Sequence, residues 1–294
     1  MTIHDVARDG RWLTTRDDNR YGLMVHTPDW REERDLSWLE GSVIGILSQD
    51  GQTILFCESA DIMGTNYAVC LRKTDGTPVV RLGEGSPMDL SADGKWALAV
   101  VLTTPPQLMI YPTGAGESRR LERGGIENYS SARWFPNGRS ILICGNEAGK
   151  ATRFYVQDLA GGPPQAVTPE GTRDGLLSPD GKLVLARGPD RTYFFYSLAG
   201  GEPRPVPWLA EADGISRFGA DGRSVLVSRG TEIPRRIERV DLQTGERALF
   251  KEIAPADRAG LLVISVIFVT DDERSYTYTA VRTLSTLFVV EGGK

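Results

Sequence analysis

Leu176-Leu177-Ser178-Pro179-Asp180-Gly181-Lys182-Leu183-Val184-Leu185-Ala186 reads as a strand, a tight turn and a second strand. Two aliphatic runs flank a Pro-Asp-Gly break, and the break has a mechanical cause. Asp accepts hydrogen bonds from its own backbone two residues on, and Gly adopts positive φ without steric cost, so the pair closes a hairpin. Beyond it the chain passes Gly188-Pro189-Asp190, a third apolar run at Tyr193-Phe194-Phe195-Tyr196-Ser197, the turn Leu198-Ala199-Gly200-Gly201, and Pro203-Arg204-Pro205-Val206-Pro207. That is four short strands and three turns.

The turn phrase recurs along the chain as Asp9-Gly10-Arg11, Asp50-Gly51-Gln52, Asp93-Gly94-Lys95, Asn137-Gly138-Arg139, Asp180-Gly181-Lys182, Asp221-Gly222-Arg223 and, degraded, Asp272-Glu273-Arg274. Successive copies start 41, 43, 44, 43, 41 and 51 residues apart. A second turn repeats in phase with it, at Thr74-Asp75-Gly76, Thr113-Gly114, Leu159-Ala160-Gly161-Gly162, Leu198-Ala199-Gly200-Gly201 and Gln243-Thr244-Gly245. A period in the low forties with strand-like flanks marks a radial repeat of four-stranded blades. The sequence therefore predicts an all-β fold, a seven-bladed β-propeller of four-stranded antiparallel blades. It forms a single domain over 1–294, with blades at 1–40, 41–85, 86–126, 127–171, 172–212, 213–260 and 261–294.

Three residues before each phrase stands an apolar side chain, namely Val6, Leu47, Leu90, Trp134, Leu177, Phe218 and Val269. This column belongs between blades, where neighbouring sheets pack face to face. Thr2 to Ala7 is read as the innermost strand of the first blade. The last repeat supplies three strands, over 262–270, 275–282 and 286–290, and so the last blade is expected to lack its fourth strand or to take one from a segment upstream.

With 294 residues, 40% hydrophobic and 25% charged, the chain can bury a large core. Its net charge of −5 and the absence of any run of five or six basic residues argue against a nucleic-acid partner. No apolar stretch reaches the roughly 18 residues of a membrane span, and the amino terminus lacks a basic-then-apolar leader, so no membrane insertion is expected. As given, the chain is expected in the cytoplasm, or outside it if this is an excised module of a membrane protein. Cys57, Cys70 and Cys144 form no Cys-x-x-Cys pair and read as reduced, buried thiols.

The catalytic inventory is thin. His4 and His26 are the two histidines, no Gly-x-Ser-x-Gly elbow occurs, and the Gly51 and Gly138 phrases sit between strands rather than at a strand-to-helix phosphate cradle. Turn chemistry accounts for every repeated aspartate. No catalytic residue, metal site or cofactor is expected.

Leu177-Ser178-Pro179-Asp180-Gly181-Lys182 and Val156-Gln157-Asp158-Leu159-Ala160-Gly161-Gly162 resemble the TolB-type, WD40-like repeats called PD40. The stretches Arg34-Asp35-Leu36-Ser37-Trp38 and Leu82-Gly83-Glu84-Gly85 also resemble the carboxy-terminal propeller regions of certain bacterial serine/threonine kinases. The resemblance implies a propeller and an adjoining signalling domain, while the kinase motifs themselves are absent.

Four residues before each phrase the column reads Asp5, Ile46, Asp89, Arg133, Leu176, Arg217 and Phe268. Alternation along a strand places it opposite the packed column, toward the central channel. Two acids and two arginines there read either as salt bridges between blades or as a polar channel mouth. In the second reading Arg133 and Arg217 contact anions, Asp5 and Asp89 contact cations, and Asp174 joins the rim. The expected function is a non-catalytic protein-interaction or ligand-sensing module. Its partner is a protein or peptide, an upstream kinase or another domain among the candidates, with specificity in the loops after Phe56, Val101, Gly145 and Gly230. The alternatives are a propeller hydrolase with a channel metal and a structural spacer.

Overall fold

In a computed structural model of the chain, which describes residues 1–59 and 66–291, every regular element is a β-strand. Each of the seven turn phrases forms as its residues dictate. The Asp or Asn Oδ1 accepts the backbone N–H two positions on, at 3.2 Å for Asp9, 3.0 Å for Asp50, 3.1 Å for Asp93 and 2.8 Å for Asn137. The same bond measures 3.1 Å at Asp180, 2.9 Å at Asp221 and 3.1 Å at Asp272. The following residue takes positive φ in every copy, and in the degraded one Glu273 does so without being glycine.

The strands gather into six sheets, not seven. Blades II to VI follow the second to sixth repeats. They begin on the inner strands Ser42–Leu47, Ser86–Leu90, Ile126–Trp134, Arg173–Leu177 and Gly214–Phe218, and each adds three antiparallel strands outward. The first and last repeats share blade I. Its inner strand is Leu261–Val269, its second Tyr276–Val290, its third Trp12–His26 and its fourth Arg34–Asp35.

This corrects two expectations, the seven-blade count and the three-stranded last blade. Thr2–Val6 is not an inner strand, because it pairs with the outer half of Trp12–His26 and all its residues are exposed. The phrase at Asp9 spells a hairpin, and a hairpin is not by itself a blade. What decides the count is the free edge of Tyr276–Val281. That edge takes Tyr21–His26 and so buries Leu23 and Val25 completely.

Six apolar clusters lie between the sheets, each shared by two neighbours. Leu23 and Val25 meet Ile54 and Phe56 between blades I and II, and Leu55 and Val69 meet Ala97 and Ala99 between II and III. Leu98 and Ile110 meet Ile141 and Ile143 between III and IV, and Leu142 and Phe154 meet Val184 and Ala186 between IV and V. Leu185 and Tyr193 meet Val225 and Val227 between V and VI, and Leu226 and Ile237 meet Ile264 and Tyr278 between VI and I. An open row of six sheets has five interfaces, so the sixth shows a closed ring. The apolar column three residues before each phrase lies in these clusters from Leu47 through Val269, with Trp134 packed on the III–IV cluster. Val6 is the exception, standing exposed on the hairpin.

A polar latch backs the closure. The hydroxyls of Tyr276 and Tyr278 donate to the two carboxylate oxygens of Glu33, the first at 2.7 Å, so the segment between the third and fourth strands is tied to the second. Thr277 adds a hydrogen bond of 2.7 Å to the Gly45 carbonyl of blade II.

Deleting residues 1–36 removes two strands of blade I and uncovers the I–II cluster, and is expected to abolish cooperative urea unfolding. Deleting residues 1–8 removes only an exposed strand and is expected to cost less than about 1 kcal/mol. Urea titrations followed by tryptophan fluorescence check both, and a cooperative transition in the longer deletion would refute the closure.

Candidate functional site

All six inner strands carry a β-bulge, one extra residue against the neighbouring strand. The register shifts lie between Val43 and Ile46, Pro87 and Asp89, Tyr129 and Ser131, Arg173 and Leu176, Ile215 and Arg217, and Ser265 and Phe268, and the strands of blades IV and I add a second, between Ile126 and Asn128 and between Leu261 and Val263. A bulge breaks strict alternation and re-aims the side chains before it. In blade V it consists of Asp174 at φ 50°, a left-handed conformation that costs a non-glycine residue, followed by Gly175. A Cβ at Gly175 would stand 2.6 Å from Phe154 Cζ, so only glycine lets the bulge settle there.

The bulges of blades IV, V, VI and I line one cavity of about 590 Å³. Its inner-strand walls include Ser130 and Arg133 of blade IV, Arg173 and Asp174 of V, Ser216 of VI and Ser265 of I. Arg187 enters from the second strand of blade V and Arg235 from the third strand of blade VI. Four guanidinium groups thus face one lining carboxylate.

That carboxylate is shared. Asp174 lies 3.6 Å from Arg173 Nε and 3.3 Å from Arg187 Nη1. Arg187 is held further by bonds from Nη2 to the Tyr193 hydroxyl at 3.0 Å and the Glu211 carbonyl at 2.9 Å, and its guanidinium lies over the Tyr193 ring. Arg235 has far less. Its Nη2 donates to Ser228 Oγ at 3.2 Å, its Nε and Nη1 are buried without partners, and among the described residues it joins no ion pair. Burial pushes its pKa down, the mark of a desolvated and uncompensated cation.

The five residues expected at the channel mouth separate. Arg133 and Asp174 line the cavity. Asp89 instead spans blades III and IV, accepting the Trp134 N–H at 2.8 Å with Arg133 3.8 Å away, and burial pushes its carboxyl pKa up against those contacts. Arg133 also donates to the Met88 carbonyl. Arg217 ties VI to I, donating to the Val269 carbonyl at 2.6 Å and to Asp271 at 2.7 Å. Asp5 sits on the exposed Thr2–Val6 strand opposite Leu13, away from the lining. Of the upstream column Arg133 and Leu176 stay at the cavity lining, whereas Ile46 lies in the II–III cluster and Asp89 and Arg217 reach the next blade. The reason is the bulge: alternation counted from the turn phrase does not carry across it, and Ser130, Arg173, Asp174 and Ser265 at or before it are aimed inward. A seven-residue offset from the third to seventh phrases gives Ser86, Ser130, Arg173, Gly214 and Ser265, a small or polar column that carries the missed signal, with Val43 breaking it in the second copy. Arg187 and Arg235 lie outside that column and had no such mark. Of the variable loops, the one after Phe56 runs through 60–65, outside the described residues.

Cys144, at the cavity wall, has its thiol pushed up to about 12 by burial, which makes it a poor nucleophile. Neither histidine lines the cavity; His26 stacks on Tyr276 with ring centroids 5.0 Å apart. No group of three or more His, Cys, Asp or Glu among the described residues could share a metal ion. Among the described residues no helix is long and apolar enough to cross a membrane.

No family model matches the chain. A stretch of 80 residues is 31% identical to an uncharacterized peptidase of Bacillus subtilis; it covers 26% of this chain and only 12% of that protein's length. Among solved structures, a putative TolB from Agrobacterium tumefaciens superposes with a TM-score of 0.65 at 14% identity, over 90% of this chain and 99% of the other. An oligogalacturonate lyase in complex with manganese gives 0.57 at 13% identity, over 95% of each chain. Identities this low establish a TolB-like fold and leave activity open.

Next to the cavity, Asp213 is fully buried at the entry to Gly214–Phe218. It accepts from Arg229 at 2.6 Å, Arg247 at 2.5 Å and the Ala210 N–H at 2.8 Å. Burial alone would raise its pKa, but the hydrogen bonds from Arg229 and Arg247 outweigh it and hold the carboxyl below 3.8. A depressed folded pKa stabilises the fold fully above the unfolded value and loses that contribution as pH falls through the folded one. Asp213→Asn is expected to cost about 2 kcal/mol at pH 7, since it removes the buried charge that anchors the half-exposed Arg229 and the partly buried Arg247. In urea titrations from neutral pH downward, the gap to the parent protein should close only on the acid side of about pH 4. A gap that persists unchanged into acid would contradict this role.

Proposed function

We propose that this chain is a non-catalytic recognition module, a rigid propeller that presents the IV–V–VI–I cavity to a ligand or peptide on behalf of a neighbouring domain. The observation that carries the reading is the cavity itself. It is about 590 Å³, within the range of small-molecule sites, and is walled by re-aimed inner-strand residues with an unneutralised arginine. A rigid scaffold with polar groups converging on one hollow binds, whereas catalysis asks for a nucleophile or base with a tuned pKa. The resemblance of Leu36-Ser37-Trp38 and its surroundings to kinase-attached propellers supports an adjoining signalling domain, and the cytoplasm as the compartment for a module so attached.

The second reading, a propeller enzyme with a channel metal, draws on the lyase that binds manganese. The lining here does not fit it, because Asp174 is the one carboxylate among four arginines and they would repel a cation.

Screening the purified chain by thermal shift against peptide and metabolite collections, then mapping binders by hydrogen–deuterium exchange, tests the proposal. A binder should protect Arg173–Leu177 and Leu261–Val269 and leave the outer strand Arg204–Pro205 unchanged. Protection confined to outer strands would overturn the cavity assignment. Stoichiometric manganese, calcium or zinc in the purified protein would favour the enzyme.

A further inference from the structure

The charge of the cavity says what kind of ligand belongs in it. Arg133, Arg173, Arg187 and Arg235 are offset by two acids, Asp174 shared by two of the arginines and Asp89 beside Arg133. That leaves two positive charges unmatched in a protein whose net charge is −5. The excess is therefore a local feature and not a reflection of an overall basic chain. Asp89 offsets less than a free carboxylate does, because burial favours its neutral form.

A surface arginine without a partner costs nothing, since water solvates it. Arg235 differs, because two of its three nitrogens are sealed from water without a hydrogen bond. Removing an ion from water is expensive unless a counter-charge replaces the lost solvation. At an effective dielectric near 20, a unit anion about 4 Å away contributes roughly 4 kcal/mol, against about 1 kcal/mol in bulk water. The cavity offers more than charge. Hydroxyls of Ser130, Ser131, Thr152, Ser228 and Ser265 stand around it as donors to an oxygen, while that of Ser216 is engaged by the Leu226 carbonyl. Planar guanidinium groups with hydroxyl donors are the chemistry that holds carboxylates and phosphates.

We infer that the cavity binds a small multivalent oxyanion, a ligand carrying two or more carboxylate or phosphate groups. The inference rests on the reading of the cavity as a binding site. The number of groups follows from the two unmatched charges, and the small size follows from the volume. Arg235, with two nitrogens sealed from water, and Arg173, half exposed at 48%, are the two contacts, so the ligand's anionic groups span the space between blades V and VI.

The test is calorimetric titration of the full chain with citrate and with pyrophosphate at constant ionic strength, using acetate and trehalose as controls. Binding of citrate, pyrophosphate or both, with Arg235→Gln and Arg173→Gln each weakening it by about tenfold or more, is the expected result. Citrate alone would identify carboxylates as the source, and pyrophosphate alone phosphates. Should Arg235→Gln fail to fold, the half-exposed Arg173→Gln variant and the salt dependence of binding carry the test. Failure of both anions at millimolar concentration, affinity unchanged in the variants, or equal binding of acetate would overturn the inference. A neutral ligand that protects the cavity strands would overturn the anion chemistry and leave the binding-site reading standing. The two failures are thus distinguishable.

Discussion

The ring depends on one pairing, Trp12–His26 against Tyr276–Val290, in register over fifteen positions. A propeller gains its stability from faces packed on faces, so every sheet needs two neighbours, and a ring with one incomplete sheet leaves two interfaces short. The pairing completes blade I, and with it the I–II and VI–I clusters. Glu33, gripped by two tyrosines, holds the returning chain in place. Half of the same pairing runs on beyond the blade as an exposed ribbon, where Leu287 and Val289 gain no burial. Closure therefore accounts for the inner half alone.

Closure also positions the cavity. Blade I contributes its bulged strand Leu261–Val269 to the lining, and that strand is fixed on one side by Tyr276–Val281 and on the other by the arginine ties from blade VI. Arg217 reaches Val269 and Asp271, while Arg239 pairs with Glu273. These arginines are spent on structure. Arg235, one residue past Pro234 on the edge of the cavity, is not, and the contrast separates arginines committed to ties between blades from one that is uncommitted within one blade.

The bulges connect fold to chemistry. In a perfectly alternating strand the inner wall of a propeller repeats one column, and function is read from that column. Here each inner strand inserts a residue a few positions before its turn, with a second insertion further upstream in blades IV and I, so alternation counted from the turn does not carry through to the wall. Asp89 and Arg217, which strict alternation assigns to the channel, become ties between blades. Serines and an arginine further upstream become the wall. Asp174 bears backbone strain to stand beside two arginines, which is tolerated because Gly175 lets the bulge press against Phe154 and Ala186.

By itself the sequence determined what is local. Asp-Gly turns close through hydrogen bonds that span two residues, and apolar side chains at fixed distance from them find the interior; both follow from a few adjacent residues. Their repetition was enough for an all-β radial fold and for the packed column from Leu47 to Val269. Two things were left to tertiary structure. The number of blades depends on which strand fills an edge more than 250 residues away in the chain, as the Thr283 to Asn19 hydrogen bond records across 264 positions. No local pattern distinguishes a terminal hairpin that forms a blade from one that completes another. The cavity lining depends on the bulges, whose inserted residues carry no turn phrase of their own yet reverse which face each side chain meets. Arg187 and Arg235 arrive from different strands, and only the folded ring shows that one is neutralised and the other is not.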